Sequence, residues 1–253
     1  MRVITLNVNG IRAAARKGFF SWLNEQNADF VCLQETKAQL SQLDPDIFCP
    51  SNYHCYYHDA EKKGYSGVAL LSRLKPKEVK YQLGWATADT EGRYIEADYG
   101  DFVVASIYLP SGTSGDSRQT LKDEFLERYL PYLQQLKNSG KQCILCGDWN
   151  IAHKEIDIKN AKANQNRPGF LPSERAWLDR LFNQEGFIDA FRVVNKAPEQ
   201  YTWWSNRGQA WSKNVGWRID YQIVTANVLV KDVAIYKQQR FSDHAPLIID
   251  YQL

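Results

Sequence analysis

Seven apolar stretches of strand length punctuate this chain, and most of them begin or end beside a polar residue for which a buried strand has no local need. The stretches are Val3–Val8, Phe30–Leu33, Val68–Leu71, Phe102–Leu109, Cys143–Cys146, Ile219–Val224 and Ala245–Tyr251. Short apolar runs bounded by turn residues read as strands buried in a sheet. The polar residues are Asn7, Glu35, Tyr108, Asp148 with Asn150, then Asp220 and the triplet Ser242-Asp243-His244. Strand ends gathered along one edge of a sheet are where sites are assembled.

Between these runs lie three segments with helical period. Phe19, Trp22, Leu23 and Gln26 make one. Leu121, Phe125, Tyr129, Leu133 and Leu136 make a longer one, with a bend expected at Pro131. Trp177, Leu178, Leu181 and Phe182 make a third, with Ser173 as its expected N-cap and Gly186 just past its end. The mixture predicts an α/β fold. No Gly/Ser-rich or Pro-rich linker divides the sequence and no short period repeats, so residues 1–253 are expected to form one domain. His244–Leu253 reads as a strand, which would build that segment into a sheet.

Composition excludes several classes. With 44% hydrophobic and 24% charged residues, the chain is neither disordered nor fibrous. Its apolar runs are too short to span a membrane. Met1 and Arg2 lead directly into a strand with no leader pattern, so a cytoplasmic protein is expected. Five scattered cysteines, an odd number, argue against a disulfide framework. Cys143 and Cys146 have C-x-x-C spacing, but residues three apart on a strand point to opposite faces, which favours a structural role. The net charge of +2 is unremarkable, whereas its distribution is not. Thr202–Arg218 carries Arg207, Lys213 and Arg218 with no acidic residue, and His153–Phe170 carries Lys154, Lys159, Lys162 and Arg167 against Glu155 and Asp157. Local positive surface of this kind suits a phosphate backbone or, alternatively, a solvated loop face.

Each misplaced polar residue has a local alternative. Asn7 could stabilise a turn with Asn9-Gly10, Glu35 could lie on the surface, Asp148 and Asn150 could form an Asx-turn, and His244 could be a core histidine. Together they supply hard oxygen ligands, a general base, amide donors and an aspartate–histidine pair, which is the inventory of metal-assisted phosphoryl hydrolysis. A serine hydrolase centred on Ser66 fits less well, because Gly64-Tyr-Ser-Gly67 lacks the G-x-S-x-G spacing.

Seven motifs extend the argument across the chain: Leu6-Asn-Val-Asn-Gly-Ile-Arg12, Leu33-Gln-Glu-Thr-Lys37, Gly64-Tyr-Ser-Gly-Val-Ala69, Ile107-Tyr-Leu-Pro-Ser-Gly112, Gly147-Asp-Trp-Asn150, Asn214-Val-Gly-Trp-Arg-Ile-Asp-Tyr221 and Ser242-Asp-His-Ala-Pro246. In content and order the sequence resembles the exonuclease III class of abasic-site endonucleases. The resemblance implies a four-layer α/β sandwich, two packed mixed β-sheets flanked by helices, with the site at the sheet edge. It implies a Mg²⁺-dependent DNA repair nuclease, with Mn²⁺ as a substitute ion, that cuts 5′ to abasic sites and trims 3′ ends. The partner would be double-stranded DNA carrying abasic sites or blocked 3′ ends, met by a monomer away from membranes.

The same resemblance implies roles. Glu35 would be the principal metal ligand, with Asn7, Asn9 and Asp243 near the ion or its waters and Asp148, Asn150 and His244 beside them. Asp148 would handle the proton of the attacking water or of the leaving group, steadied by Asn150. His244, paired with Asp220, would donate to a phosphoryl oxygen, assisted by the Tyr108 phenol. Trp203 and Trp217 would wall a pocket for a sugar without its base, while Trp204 and Trp211 read equally well as a hydrophobic mini-core. Asn9, Arg12, Lys37, Ser111 and Arg218 would touch the substrate, although Ser111 stands where some relatives carry Asn or Gln. Two other readings stay open: a phosphodiesterase of the same superfamily acting on RNA, inositol phosphates or lipid head groups, and a nucleic-acid-binding protein without catalysis. The Trp-rich basic stretch argues against the first, and the filled catalytic positions against the second.

Overall fold

The computed structural model describes residues 1–252. The first strands along the chain are β1 (Arg2–Asn7), β2 (Phe30–Gln34), β3 (His54–His58) and β4 (Val68–Ser72). Next come β5 (Glu78–Lys80), β6 (Tyr94–Asp98), β7 (Phe102–Tyr108), β8 (Gln142–Asp148) and β9 (Phe187–Asp189). The short ribbon β10 (Trp203–Trp204) and β11 (Gly216–Trp217) precedes β12 (Asp220–Thr225), β13 (Leu229–Ile235) and β14 (Leu247–Gln252). One six-stranded sheet has the order β13-β14-β1-β2-β4-β3 and the other β5-β6-β7-β8-β12-β9. Both are mixed: β1 runs parallel to β2 and β7 parallel to β8, and the other neighbours are antiparallel.

Alternation along each central strand sends successive side chains to opposite faces, and here both faces are buried. In the first sheet, Ile4, Leu6, Val31 and Leu33 pack on Phe19, Trp22 and Leu23 of helix Phe19–Gln26. The opposite face, with Val3, Phe30, Cys32 and Leu70, meets Val104, Ile144, Cys146 and Val224 of the second sheet. The far face of the second sheet, with Val103, Ala105, Leu145 and Ile223, is covered by Phe125, Tyr129 and Leu133 of helix Asp116–Asn138 and by Leu178 and Leu181 of helix Pro172–Asn183. The layers are therefore helix, sheet, sheet, helix, a four-layer α/β sandwich. Each fully buried Val, Leu, Ile or Phe contributes about 1.5–3 kcal/mol of transfer free energy, so this triple interface is the main source of stability. Cys143 and Cys146 fall in different layers, as their spacing requires.

Several expectations need correction. The long helix, expected over Leu121–Leu136, extends over Asp116–Asn138 with Pro131 inside it, and its buried stripe of Phe125, Leu126, Tyr129, Leu130 and Leu133 also contains a lysine, Lys122. Ser173 does not cap the third helix. Leu171 is the capping residue, Pro172 opens the helix, and the Glu174 carboxylate accepts the N–H groups of Gly169 and Leu171. Cys49 and Cys55 form a disulfide, Cα atoms 5.7 Å apart, where thiols alone were expected. The turn around Ser51 and Asn52 brings them together, a local closure that an odd cysteine count conceals. Strand β6 escaped notice because Glu96 sits in its middle, satisfied there by the Tyr94 and Tyr132 hydroxyls. Strand β13 is a half-exposed edge with an irregularity between Val230 and Asp232, a common way to protect an edge. Among the described residues no helix is long and apolar enough to cross a membrane.

Strand register positions the site. Asn7 at the end of β1 lies opposite Gln34 at the end of β2, so Glu35 follows at the same edge. In the second sheet Tyr108 pairs with Asp148, and Asp148 with Asp220. Two sheet edges thus bring one set of polar ends face to face.

Candidate active site

Asn7 joins the two sheets. Its buried Nδ2 donates to Glu35 Oε1 and to Asp148 Oδ2, each at 2.8 Å, and its Oδ1 accepts the Asn9 N–H at 3.0 Å. Asp148 also lies 3.9 Å from His244 Nε2, while His244 Nδ1 pairs with Asp220 Oδ2 at 2.8 Å. Ser242 Oγ donates to the Asn7 carbonyl at 2.6 Å and receives the His244 N–H at 2.9 Å, tying the approach to β14 onto β1. Asn9, Glu35, Lys37 and Asn150 all hold left-handed backbone angles, φ 43–52°. Such conformations cost of order 1–3 kcal/mol for most residues and cluster at functional sites.

Electrostatics follow from burial. Burial and the neighbouring Asp220 push Asp148 up to about 7, despite His244 and the Asn7 amide. Burial alone would lower His244, but Asp220 and then Asp148 outweigh it and raise the imidazole to about 10. Glu35 behaves oppositely: burial opposes its charge, yet Lys37 and the Asn7 hydrogen bond hold it below the usual carboxylate range. Asp243 is likewise lowered against burial, by His244 and by bonds from Asn9 Nδ2 (2.9 Å) and Trp203 Nε1 (3.1 Å). Burial, with Glu35 and Asp148 nearby, raises the Tyr108 phenol well above its ordinary value, keeping it a donor. Behind Tyr108, buried Arg93 stacks on the ring at 4.6 Å and donates to the Tyr108 carbonyl at 2.9 Å. Glu91, Tyr65 and Arg118 complete that support.

These groups open onto a cavity of about 470 Å³. Glu35, Tyr108, Asp148, Asn150, Asp243 and His244 give it a polar side; Trp203, Trp217, Ile219 and Pro168 give it an apolar one, with Ser111, Thr113, Arg167 and Gly169 at its walls. The two tryptophan rings meet edge to face, centroids 6.0 Å apart. A larger groove of about 760 Å³ beside Phe20, Ile47 and Tyr53 has Asp46 as its one charged lining residue and offers no comparable chemistry.

The oxygen-rich side fits a hard cation. The Lys37 ammonium already sits between Glu35 Oε2, at 2.6 Å, and Asn9 Oδ1, which marks where positive charge is favoured. Asp148, Asp220 and His244 form a second group whose ligand atoms lie within 4.8 Å of one another. A protonated His244 has no lone pair to give, so in that state this trio serves proton and anion chemistry, and only neutral His244 would ligate.

Most residues singled out in the sequence gather here, with three departures. Arg218 does not reach the cavity: it is fully buried, its Nε 2.8 Å from Asp157 and its Nη2 2.7 Å from Asp189, so it is a structural cation and not a substrate contact. Arg12 lies outside the cavity lining, exposed on helix Ile11–Arg16. Trp204 and Trp211 are a mini-core with Tyr201, Ala210 and Ala245. Arg93, Arg118, Pro168 and Gly169 were missed: Glu91, two residues before Arg93, was the one local signal, and it marks an ion pair without showing that the pair backs Tyr108. Ser66 is buried at a left-handed position, where its hydroxyl is no nucleophile.

Fold and site together define a metal-dependent phosphodiesterase. The exodeoxyribonuclease of Bacillus subtilis (strain 168) is 43% identical over 251 residues, covering 98% of both chains. The DNA repair nuclease APEX1 of Danio rerio is 38% identical over 256 residues, 98% of this chain and 81% of its own. An AP endonuclease from Archaeoglobus fulgidus matches in structure with a TM-score of 0.91 and 27% identity over 100% of each chain. Residues 4–244 match the Endonuclease/Exonuclease/phosphatase family, and the chain belongs to it.

Proposed function

We propose that this protein is a DNA repair nuclease that hydrolyses the phosphodiester 5′ to abasic sites and trims 3′ ends, using Mg²⁺, with Mn²⁺ as a substitute. The carrying observation is the junction of Glu35, Asn7, Asp148 and the His244–Asp220 pair at one cavity whose other side is Trp203 and Trp217. Glu35 would hold the ion, with Asn7, Asn9 and Asp243 around it and Asp148 and Asn150 beside it. The bound cation would neutralise charge on the phosphate oxygens. Asp148, with its pKa about 7, takes the proton of the attacking water as the water oxygen bonds to phosphorus and the bond from phosphorus to the 3′ oxygen breaks, and that proton passes to the leaving 3′ oxygen. Protonated His244, oriented by Asp220, and the neutral Tyr108 phenol donate to the phosphoryl oxygens as negative charge grows there. Asn150 is fixed by its Nδ2 bond to the Leu109 carbonyl and steadies Asp148, whose Oδ1 accepts the Asn150 N–H at 2.9 Å.

The tryptophans favour DNA with a missing base. A sugar without its base would lie against the apolar wall that the two touching rings form, where a complete nucleotide would be obstructed. Ser111 would contact the backbone at the cavity, Asn9 and Lys37 beside it through their places on Asp243 and Glu35, and Arg12 a phosphate farther out. We further propose that residues 1–253 act as one catalytic domain and as a monomer, since one chain supplies every group of the site. We also propose a cytoplasmic location, in which the three buried thiols stay reduced and the local Cys49–Cys55 bond would be expected to open. The test is cleavage of matched intact, abasic and 3′-blocked duplexes with and without EDTA. Metal-dependent incision of the abasic and 3′-blocked substrates is expected. Equal cutting of all three, or activity that survives chelation, would overturn the reading.

A further inference from the structure

Lys122 and Glu174 form an ion pair at 2.5 Å with both side chains fully shielded from water. The chemistry above uses neither. Replacing a buried ion pair with well-packed neutral residues is often neutral or stabilising, so stability alone is a weak reason for this one. Its other contacts lead to the cavity. Lys122 Nζ donates to the backbone carbonyl of Asn150 at 2.8 Å. Glu174 Oε2 accepts the N–H groups of Gly169 at 2.7 Å and Leu171 at 2.9 Å. Glu174 Oε1 accepts from Gln119 at 3.3 Å, and the Gln119 side chain fills the space beside Gly112. Asn150 and Gly169 line the cavity, whereas Lys122 and Glu174 do not. Both lining residues hold left-handed angles, φ 52° and 93°. At Gly169 a Cβ would stand 3.0 Å from the Trp217 ring and 3.2 Å from the Asn150 carbonyl, so these three groups share one tight contact.

We infer that Lys122 and Glu174 are positioning residues: the pair pins the Asn150 backbone and the Gly169 wall at the spacing from Trp217 that suits a baseless sugar, and so sets turnover and selectivity without touching substrate. The inference rests on the abasic-site reading above. Small displacements of supporting groups suffice for large effects, since a 1 Å misplacement can lower a rate about a hundredfold.

The deciding variant, in the full chain, is Lys122→Met/Glu174→Gln. It removes both charges at once and leaves a glutamine oxygen to accept from Gly169. The expected result is an unfolding midpoint close to the parent's, with kcat on an abasic duplex in Mg²⁺ lower by roughly ten- to a hundredfold, KM little changed and the preference for abasic over intact sites reduced. A folded double variant with parental kcat and preference overturns the inference. If that variant does not fold, Lys122→Arg decides, because it keeps the charge but displaces the donor from the Asn150 carbonyl. A fall in its kcat at a retained midpoint supports positioning, and parental kcat overturns it. The parent enzyme tests the functional reading separately. If it ignores abasic DNA but cleaves another phosphodiester, that reading fails, while the ratio of variant to parent kcat on that substrate still judges the positioning role.

Discussion

Asp148 and His244 face each other with side chains almost shielded from water, and their proton affinities lie about 7 and about 10. Asp148 gains its basic form as pH rises through the lower value, and His244 keeps its proton until the upper one. The pH profile of kcat/KM should therefore rise through about 7 and fall above about 10. In Asp220→Asn the alkaline limb should move to lower pH, because Asp220 is the largest influence holding that proton; an unmoved limb would exclude this role. Asp148→Asn should lower kcat by about 10²–10⁴ with abasic-duplex affinity retained, as measured by fluorescence anisotropy. At this scale the sequence was informative wherever a polar residue ended an apolar run, as with Asn7, Glu35, Asp148 and His244. It misled at Arg218, whose charge was visible but whose partners, Asp157 and Asp189, lie 61 and 29 residues away.

Strands and helices carry these residues only if their own packing holds. Arg218 links the start of β12 to Asp157 and to Asp189 at the end of β9. Burial opposes the Asp157 charge, but Arg218 and Arg192 overcome it and hold its pKa at about 2. Arg218→Ala should destabilise the fold by roughly 3–5 kcal/mol, the effect of stranding buried charges, which denaturant unfolding would measure; normal stability with weakened DNA binding would restore the substrate-contact reading. Gly147 poses a different constraint. A Cβ there would stand 2.0 Å from the Ile107 carbonyl on neighbouring β7, one residue before the Tyr108–Asp148 pair. Gly147→Ala should lower stability by about 1–3 kcal/mol through overpacking and reduce activity with it, both readable from melting curves and initial rates. The long helix was legible from its period, yet Lys122 was not, since a lysine in register with Phe125 and Tyr129 marks a buried partner only once Glu174 is known to lie across from it. β6, interrupted by the buried Glu96, and the half-exposed edge β13 left no pattern to read.

The whole molecule closes on itself through strands distant in sequence. β14 lies between β13 and β1, and the Met1 ammonium donates to the Tyr251 carbonyl at 2.9 Å. Such pairings have no local signature, so the sheet order could not be read from the residues, and the four layers were expected only from family likeness. Because Glu35 and Asp148 come from different sheets, a cation bound between them should stabilise the assembled state. At a hundredfold excess over its Kd, Mg²⁺ should contribute about 2.7 kcal/mol, an upward Tm shift of roughly 5–10 °C for a chain of this size. Glu35→Ala should abolish that shift and raise the metal concentration needed for cleavage; an unchanged shift would place the ion elsewhere. A polypeptide still being translated holds Glu35 and Asp148 long before Asp243, His244 and the strand that flanks β1 have emerged. Until those residues are made the His244–Asp220 pair cannot form and β1 lacks its β14 neighbour, so the site is assembled only as folding is completed.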